Sequence, residues 1–509
     1  MKDFDAIVIG AGNGGLTAAA TLQQKGLRTL LIERHNIPGG CATSFVRGDY
    51  EFEVALHQLS GMGTEKHPFI LRQLFTKLGI MNKLEFVEEA SLYRSIVPGK
   101  LDITLPASNR GISKVLKENF PEDAGAVDGY LELCKNLTIE AYMLLPNIRK
   151  TGDTKALEKN CGNYVKYGLR PASKVLDEFF KNEKLKFLLA NYWGYVGMPP
   201  NKIAFVDLAT MFFAYATYKP YHVKGGSQAL SNALLEVFLE AGGQVRFNCA
   251  AEKIIATNGA VQAVGTEHGE EYSCHHVISN ASSIITYNEL LESDRPIPQV
   301  KTDFKSRSLG VSGFVIYLGL DCTPQELGVT EASTFISKDL NHEEAYRRAS
   351  SLEDPTGCLL TCYNLENPSA APKGKSHVAL MCIQYGSQWE KVPEADYAKT
   401  KYALADKLLD LAETAVPGIR EHIEEAEVAT PLTMMRYLNT PGGAIYGFDQ
   451  DASDATLFRD NSKEISGLHL AGAWSGMGGF QPTYQAGITT ASAIAKKHKA
   501  LTEKVTAHA

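Results

Sequence analysis

A glycine cluster near the start of the chain limits the folds that are available to it. Residues 6–9 form a short apolar run rich in branched side chains, and Gly10, Gly12 and Gly15 follow it before an alanine-rich stretch. This order predicts a strand, a tight turn and a helix. A second apolar run at 30–32 ends at Glu33, about 20 residues beyond the glycines, which is the spacing of a βαβ unit. The pattern predicts an α/β fold with a Rossmann-type βαβ unit.

The same residues are typical of a dinucleotide site. There the first glycine permits the turn, the second lets the backbone approach a pyrophosphate, and the third lets the helix pack closely on the strand. The helix N-terminus presents free N–H groups to the phosphates, and the acid accepts hydrogen bonds from ribose hydroxyls. The predicted dinucleotide contacts are Gly10, Ala11, Gly12, Asn13, Gly14, Gly15, Glu33 and Arg34. A structural glycine turn in an ordinary α/β domain is the alternative.

A second cluster, PGGCAT at 38–43, follows the acid. A nicotinamide site of this type needs no further glycines, whereas in large two-domain flavoproteins a Gly-Gly segment runs beside the pyrophosphate and ribityl chain of FAD. The pattern therefore indicates FAD, with Gly39, Gly40, Cys41 and Thr43 as further contacts. The GxGxxG pattern occurs once in the chain, so no second dinucleotide site is predicted, and an external electron donor or acceptor is expected.

Composition excludes some functions. The 509-residue chain is 44% apolar with a formal net charge of -7, so it has no overall basic field and nucleic acid is not an expected partner. The nine cysteines include no CxxC pair, so neither a disulfide scaffold nor a metal site is predicted. The first apolar run starts at Phe4, which predicts no signal peptide and a cytoplasmic location.

Six further segments complete an ordered set of motifs: GDYEFE at 48–53, YHVKGGSQAL at 221–230, VISNA at 277–281, NPSAAPKG at 367–374, NTPGGAIYG at 439–447 and GLHLAGAW at 467–474. Together with the glycine clusters, this set resembles the phytoene desaturase, carotenoid isomerase and retinol saturase group of amine oxidase-like flavoproteins. Desaturases usually carry Gly-Gly-Arg after the acid, whereas this chain has Cys41, and Ala55 stands where many members have glycine. The resemblance is therefore closer to the saturases and isomerases.

The resemblance implies a discontinuous Rossmann-type FAD-binding domain and a substrate domain. The FAD domain would comprise residues 1–100, 222–283 and 450–509, with a helical cap at 101–221 and a substrate sheet with helices at 284–449. A helix that opens near Gln481 would aim its N-terminus at the flavin ring and favour negative charge there. Further predicted FAD contacts are Ala251, Gly472, Ala473, Gly479, Phe480 and Thr483.

Hydrophobic spacing predicts elements within the two substrate-binding segments. Helices are expected over 128–148, 175–192, 204–218 and 398–416, and strands over 313–320 and 377–384. The apolar segment 204–218 contains Asp207 and is shorter than the roughly 20 residues that a membrane span needs. It is predicted to be a core helix of the cap, with the wall of a lipophilic tunnel or a surface that dips into a membrane as the alternatives.

The resemblance implies a flavoenzyme that reduces, desaturates or isomerises C=C bonds of a long polyene such as a carotenoid or retinoid, with peripheral membrane contact. Tyr446, Trp474 and Tyr484 are predicted substrate contacts. His57 lies in a stretch similar to one in retinol saturases and is the candidate for proton transfer, with a structural histidine as the alternative. Two other functions stay open: a flavoenzyme acting on unsaturated fatty acids or amines, and a non-enzymatic prenyl-binding or lipid-binding protein.

Overall fold

In the computed structural model, which describes residues 2–451 and 464–507, one parallel sheet collects strands from both ends and the middle of the chain. Its five strands, in spatial order, are Leu468–Leu470, His276–Ser279, Ala6–Ile9, Thr29–Ile32 and Gln244–Arg246. The central strand, Ala6–Ile9, is wholly buried, as expected for a parallel strand covered on both faces. The predicted Rossmann-type α/β fold is confirmed.

The helix Asn13–Gln24 packs on this sheet and against two further helices, Gly226–Glu240 and Phe480–Ala507. The first and the last approach very closely, because a Cβ atom added to Gly487 would lie 2.1 Å from the carbonyl oxygen of Gly14. Glycine in both helices thus permits a contact that larger residues would prevent. The chain also forms a four-stranded sheet with strands Glu271–Ser273, Ala260–Thr266, Ala251–Thr257 and Leu291–Ser293. The described strands also include two antiparallel pairs: the hairpin Ser44–Arg47 with Tyr50–Glu53, and Phe86–Glu88 with the distant Tyr221–Val223.

A seven-stranded sheet forms the floor of the substrate domain. Its strands, in spatial order, are Ile423–Ala429, Ser312–Leu320, Ser376–Gln384, Gly357–Cys362, Ser333–Ser337, Ser91–Val97 and Leu101–Pro106. The strand Ser91–Val97 pairs in parallel with Ser333–Ser337, so residues 91–100 belong to this sheet. The expected boundary of the FAD domain at residue 100 is therefore wrong, because this hairpin finds its partner far along the chain.

The helical cap contains the expected helices with two interruptions. The helix expected over 128–148 runs from Ala124 to Ile139 and continues through a wide turn, Glu140–Leu144, into Leu145–Thr151. Pro146 stands at the start of that last helix and cannot donate an intrahelical hydrogen bond, which accounts for the wide turn. The helix expected over 175–192 is two helices, Ala172–Phe179 and Glu183–Ala190, because the Asn182 side chain caps the second one.

The apolar segment forms the helix Phe205–Tyr218. The expected strands and the long amphipathic helix are found at Ser312–Leu320, Ser376–Gln384 and Glu394–Glu413. The remaining helices are Ile70–Leu78, Asn109–Asn119, Thr154–Asn160, Trp193–Val196, Ser283–Ile285, Pro298–Lys305, His342–Ala349, Gly386–Trp389 and Pro431–Leu438. Within residues 2–451 and 464–507, none of the helices has the length and apolar character needed to cross a membrane.

Candidate active site

Backbone N–H groups hold Glu33, the acidic residue predicted to bind ribose, in place. One oxygen of the buried Glu33 carboxylate accepts a 2.6 Å hydrogen bond from the Ala11 N–H, and the other accepts a 2.8 Å bond from the His35 N–H. Each carboxylate oxygen has two acceptor sites, so capacity remains for ribose hydroxyls. The Arg34 guanidinium donates a 2.6 Å hydrogen bond to the Arg436 carbonyl oxygen.

The two amino-terminal glycine clusters are in contact with each other. The Gly39 N–H donates a 2.8 Å hydrogen bond to the Ala11 carbonyl oxygen. Gly40 has a φ of +62°, and a Cβ atom added there would lie 3.4 Å from the Gly12 Cα atom. Thr43 is tied to the helix Gly226–Glu240 through a 2.6 Å hydrogen bond between its hydroxyl and the Gln228 side chain. The second cluster is therefore fixed against the first along one side of the site.

The carboxy-terminal glycine segment closes the other side. A Cβ atom on Gly14 would lie 2.5 Å from the backbone nitrogen of Gly472 and 2.6 Å from Oδ1 of Asn280. The Asn13 amide donates a 3.4 Å hydrogen bond to the hydroxyl of Thr483, at the start of the last helix. The opening glycine motif and the last glycine segment thus meet at one place.

Asn280 is a site residue that the sequence analysis missed. It follows the strand His276–Ser279, and its side chain lies against Gly12, Gly14 and Gly472. A signal was present, because ligands of open α/β sheets bind beyond the carboxyl ends of the strands.

A single continuous cavity of about 2260 Å³ runs from these glycine segments to the helical cap. Single-ligand pockets usually enclose roughly 300–1,000 Å³, so this cavity has room for a dinucleotide and a second long molecule. The predicted FAD contacts that line it are Gly10, Gly12, Asn13, Gly14, Glu33, Arg34, Gly39, Gly40, Cys41, Thr43, Ala251, Gly472, Ala473, Gly479, Phe480 and Thr483.

Two predicted FAD contacts lie behind the cavity wall. Ala11 holds Glu33, as described above, and Gly15 packs against the first strand. A Cβ atom on Gly15 would lie 1.8 Å from the Gly10 carbonyl oxygen. This is the close helix-to-strand approach expected of the third glycine.

The predicted substrate contacts divide into two groups. Tyr446 and Trp474 line the cavity, with Trp474 packed edge-on to Phe448 at 5.0 Å between ring centroids. Tyr484 does not. It is fully buried in the core of the FAD domain, edge-on to Phe75 at 5.3 Å. The prediction for Tyr484 is therefore wrong, because the last helix turns this ring towards Phe75 on the helix Ile70–Leu78 and away from the cavity.

His57 lines the cavity above the seven-stranded sheet. Its Nδ1 atom lies 2.8 Å from Thr361 Oγ1, and its Nε2 atom lies 3.3 Å from the Met381 sulfur. Burial lowers the pKa of His57 to about 4, so the ring is neutral at pH 7. Both imidazole nitrogens contact side chains, which differs from the alternative of a histidine bonded to backbone. Its catalytic role stays a prediction.

The turn that carries His57 is anchored by a buried carboxylate. Glu53 accepts hydrogen bonds from the Ala55 and Leu56 N–H groups at 3.2 and 3.1 Å. It also accepts from the Ser227 N–H and hydroxyl at 2.7 and 2.6 Å, at the start of the helix Gly226–Glu240. Glu53 thus fixes the position of His57 relative to the FAD domain, and the sequence analysis assigned it no role.

A polar network lies next to His57 in the otherwise apolar wall. The Gln58 amide donates a 2.6 Å hydrogen bond to the buried Glu89, and its oxygen accepts 3.3 Å bonds from the Tyr192 and Tyr195 hydroxyls. Burial raises the pKa of Glu89 well above its usual range. The other Glu89 oxygen lies 3.4 Å from Nε2 of His222. Burial lowers the pKa of His222 to about 4. Burial therefore disfavours the charged form of both groups.

One group of possible metal ligands lies within the part of the chain that the structure describes, and it has a structural explanation. Asp321, Cys322 and His422 come together at one end of the strand Ser312–Leu320. His422 Nδ1 and the Asp321 carboxylate are already paired at 2.8 Å, and burial raises the pKa of the Cys322 thiol to about 11. We assign no metal to it.

The site geometry fits FAD. The glycines leave the backbone open along one side of the cavity, and the buried Oδ1 atom of Asn13 has no hydrogen-bond partner among the described residues. A family model described as flavin containing amine oxidoreductase matches residues 14–495. The chain belongs to this family. It is therefore a flavoenzyme with FAD as its cofactor.

Comparison with individual relatives shows which members of the family this flavoenzyme resembles. It is 25% identical to the all-trans-retinol 13,14-reductase of Danio rerio, over 98% of this chain and 87% of that protein. It is also 25% identical to the chloroplastic prolycopene isomerase of Daucus carota, over 92% and 76% of the two chains. An oxidoreductase from Methanosarcina mazei has the same fold, with a TM-score of 0.66 at 16% identity over 96% of this chain and 99% of that one. The expected resemblance to the saturase and isomerase side is confirmed.

Proposed function

We propose that this flavoenzyme reduces or isomerises C=C bonds in a long hydrophobic polyene of the carotenoid or retinoid type. The observation that carries the proposal is the continuous cavity of about 2260 Å³, which joins the FAD-side glycine segments to the cap. Its volume exceeds what one cofactor needs, and a long apolar molecule would fill the remainder. Relatives named for reactions of retinol and prolycopene support this substrate class.

The chain's own residues would hold the cofactor in three ways. The loop at Gly12 and Gly40 leaves space for the pyrophosphate, the N-terminus of the helix Asn13–Gln24 faces it with free N–H groups, and Glu33 would accept from the ribose. Bound FAD supplies hydride acceptance and donation. The remaining residues position the polyene and exclude water from it.

His57 is the residue that we propose for holding a proton beside the polyene. The Met381 sulfur at Nε2 is a weak acceptor, so it accommodates an Nε2–H tautomer with Nδ1 accepting from the Thr361 hydroxyl. In this tautomer the ring would receive a proton at Nδ1, and the imidazolium so formed would release one from Nε2. The Glu53-anchored turn keeps the ring in place for both transfers.

We also propose that the cap faces a membrane on the cytoplasmic side. Two wide turns, Glu140–Leu144 and Tyr164–Gly168, are joined by the Glu140 carboxylate, which accepts a 2.6 Å hydrogen bond from the Tyr164 N–H. Around them lies a set of exposed apolar side chains: Ile139, Tyr142, Met143, Leu144, Val165 and Leu169. Three of these also line the cavity, so a lipophilic substrate could pass directly from lipid to the site.

The function is tested with the FAD-loaded enzyme, reduced by dithionite under anaerobic conditions and mixed with carotenoids, retinoids, unsaturated fatty acids and alkyl amines. The products are analysed by mass. We expect a polyene either to gain two hydrogens or to change geometry at constant mass. Conversion of only the fatty acids, or oxidation of only the amines by the oxidised enzyme, would replace the polyene with that class.

Membrane contact is tested separately by sedimentation with vesicles of neutral and anionic phospholipid. We expect the wild type to sediment and the double variant Met143→Ser, Val165→Ser to remain in solution. The exposed Tyr402→Ser on the helix Glu394–Glu413 is the matched control. Equal sedimentation of all three would remove the proposed membrane face without affecting the proposed chemistry.

A further inference from the structure

One face of the helix Phe205–Tyr218 forms a wall of the cavity. Phe213 and Tyr215 of this helix line the cavity, and so do six residues at intervals of three and four: Asp207, Thr210, Met211, Ala214, Thr217 and Tyr218. This spacing places them on one helical face. Asp207 is the only charged residue on that face, and it lies in the first turn.

Two hydroxyls on neighbouring helices accompany the carboxyl group. Thr138 lies on the facing helix Ala124–Ile139, lines the same cavity, and has its Oγ1 atom 3.4 Å from Oγ1 of Thr210. Thr210 stands three residues after Asp207, so its side chain lies beside the carboxyl group on the helix face. The cap end of the cavity therefore carries a small polar group of two hydroxyls and one carboxyl.

The Asp207 carboxyl interacts electrostatically with the Tyr142 phenol, which lines the same cavity, but it forms no hydrogen bond with this group. Within residues 2–451 and 464–507, no hydrogen bond or ion pair involves its side chain. The helix has Ala204 at its N-cap, without any side-chain capping bond. Lys135, the cationic residue that lines the cavity on the facing helix, pairs instead with Glu132 at 3.0 Å. Burial raises the pKa of Asp207 to about 7, so placing this carboxyl in an apolar wall costs stability.

We propose that Asp207, with Thr138 and Thr210, receives a hydroxyl group at one end of the substrate, which is therefore a polyene alcohol. This inference rests on the proposed function and adds the polar end group to it. A hydroxyl can donate to the carboxyl oxygen and accept from a threonine. A carboxylate end group would be repelled by the ionised acid, and a hydrocarbon would leave the acid without a partner.

The position of these residues also sets the direction of the substrate. Ile139, Tyr142 and Met143 are exposed and line the cavity next to the polar group, so the cap end of the cavity opens to the surface. The hydroxyl would stay near this opening, and the polyene would extend inward towards the FAD side.

The test compares three ligands with the same polyene chain: all-trans-retinol, its methyl ether, which cannot donate a hydrogen bond, and the corresponding amine. Dissociation constants are measured with the FAD-loaded enzyme from the perturbation of the flavin absorbance spectrum. We expect wild type to bind the alcohol about tenfold more tightly than the ether, as for one hydrogen bond to a charged or partly charged group. In Asp207→Leu the preference should vanish while the ether binds as before, and Asp207→Asn should keep part of it.

Two comparisons keep the result interpretable. Asp177→Asn changes an exposed cap acid that pairs with Lys186, and it should leave both dissociation constants unchanged. If Asp207→Leu fails to load FAD, the same dissociation constants are measured for Thr210→Val. That variant should show a smaller preference for the alcohol.

Three results would overturn the inference. The first is equal binding of alcohol and ether by wild type, which leaves the proposed polyene function intact. The second is tighter binding of the amine of the same chain length, which would make Asp207 a cation site. The third is failure of both polyenes to bind or react, which would overturn the proposed function as well.

Discussion

Gly14 and Gly472 pack backbone to backbone although they lie near opposite ends of the chain. A Cβ atom on Gly14 would lie 2.5 Å from the Gly472 nitrogen and 2.8 Å from its Cα atom, distances that no side chain can occupy without moving the backbone. This contact brings the opening glycine motif and the carboxy-terminal segment to the same place, where the proposed FAD site requires both.

Gly14→Ala should weaken FAD binding. The added methyl group would push the Gly472 segment away, and overpacking of this kind costs roughly 1–3 kcal/mol, or about 5- to 150-fold in the dissociation constant. The ratio of flavin to protein absorbance in the purified variant measures the effect. Gly125→Ala is the matched control, because nothing lies within 4 Å of a Cβ atom there. Full FAD occupancy in Gly14→Ala would show that the two segments are not both needed.

His57→Ala should retain FAD and lose most of its turnover. Because the folded pKa of His57 is about 4, the wild-type rate should show no inflection from this residue between pH 5.5 and 8. Steady-state rates across that range, with the exposed His268→Ala as control, check both statements. Unchanged turnover in His57→Ala would reduce His57 to a residue of the cavity wall.

Tyr484 should behave as a core residue. Its buried hydroxyl has no hydrogen-bond partner among the described residues, so Tyr484→Phe should leave stability and KM unchanged or raise stability slightly. Tyr484→Ala should cost about 3–5 kcal/mol of unfolding free energy. Tyr446→Ala, at the cavity wall, should instead raise KM with a smaller loss of stability. Thermal denaturation and steady-state kinetics separate these outcomes, and a raised KM in Tyr484→Phe would restore Tyr484 as a substrate contact.

Asp207 should destabilise the ligand-free fold in a pH-dependent way. Its pKa rises from 3.8 to about 7 on folding, so the folded chain binds more protons than the unfolded chain between these values. Stability contributed by this group is therefore lost as the pH rises through that window. Asp207→Asn should equal wild type near pH 4 and exceed it by about 1–3 kcal/mol at pH 8. Urea unfolding at both pH values measures the difference, and a less stable variant at pH 8 would instead indicate a favourable helix N-terminal charge.

The βαβ unit and its dinucleotide site could be predicted from the sequence because they depend on local patterns. The run before Gly10, the acid at Glu33 and the glycines at 39–40 each report a backbone requirement that few residues can meet. The meeting of the two ends of the chain could also be predicted, because the segment 467–474 resembles a family motif that implies contact with FAD.

Features that depend on tertiary packing could not be predicted. The hairpin of residues 91–106 joins a strand at 333–337, and no local signal marks that partner. Tyr484 lies on a helix with small residues on several sides, so its facing direction depends on the contact of Gly487 with Gly14. Asp207 was visible as an interruption of an apolar run, but only the folded chain places it beside Thr138 without an ion pair.

The central claim is that FAD and a polyene occupy one cavity side by side. Titration of the FAD-loaded enzyme with all-trans-retinol, followed through the flavin absorbance bands, tests it most directly. We predict a saturable spectral shift that reaches its end point at one polyene per flavin and is weakened by Trp474→Ala at the cavity wall. A flavin spectrum that polyenes leave unchanged, while alkyl amines or fatty acids shift it, would contradict the account.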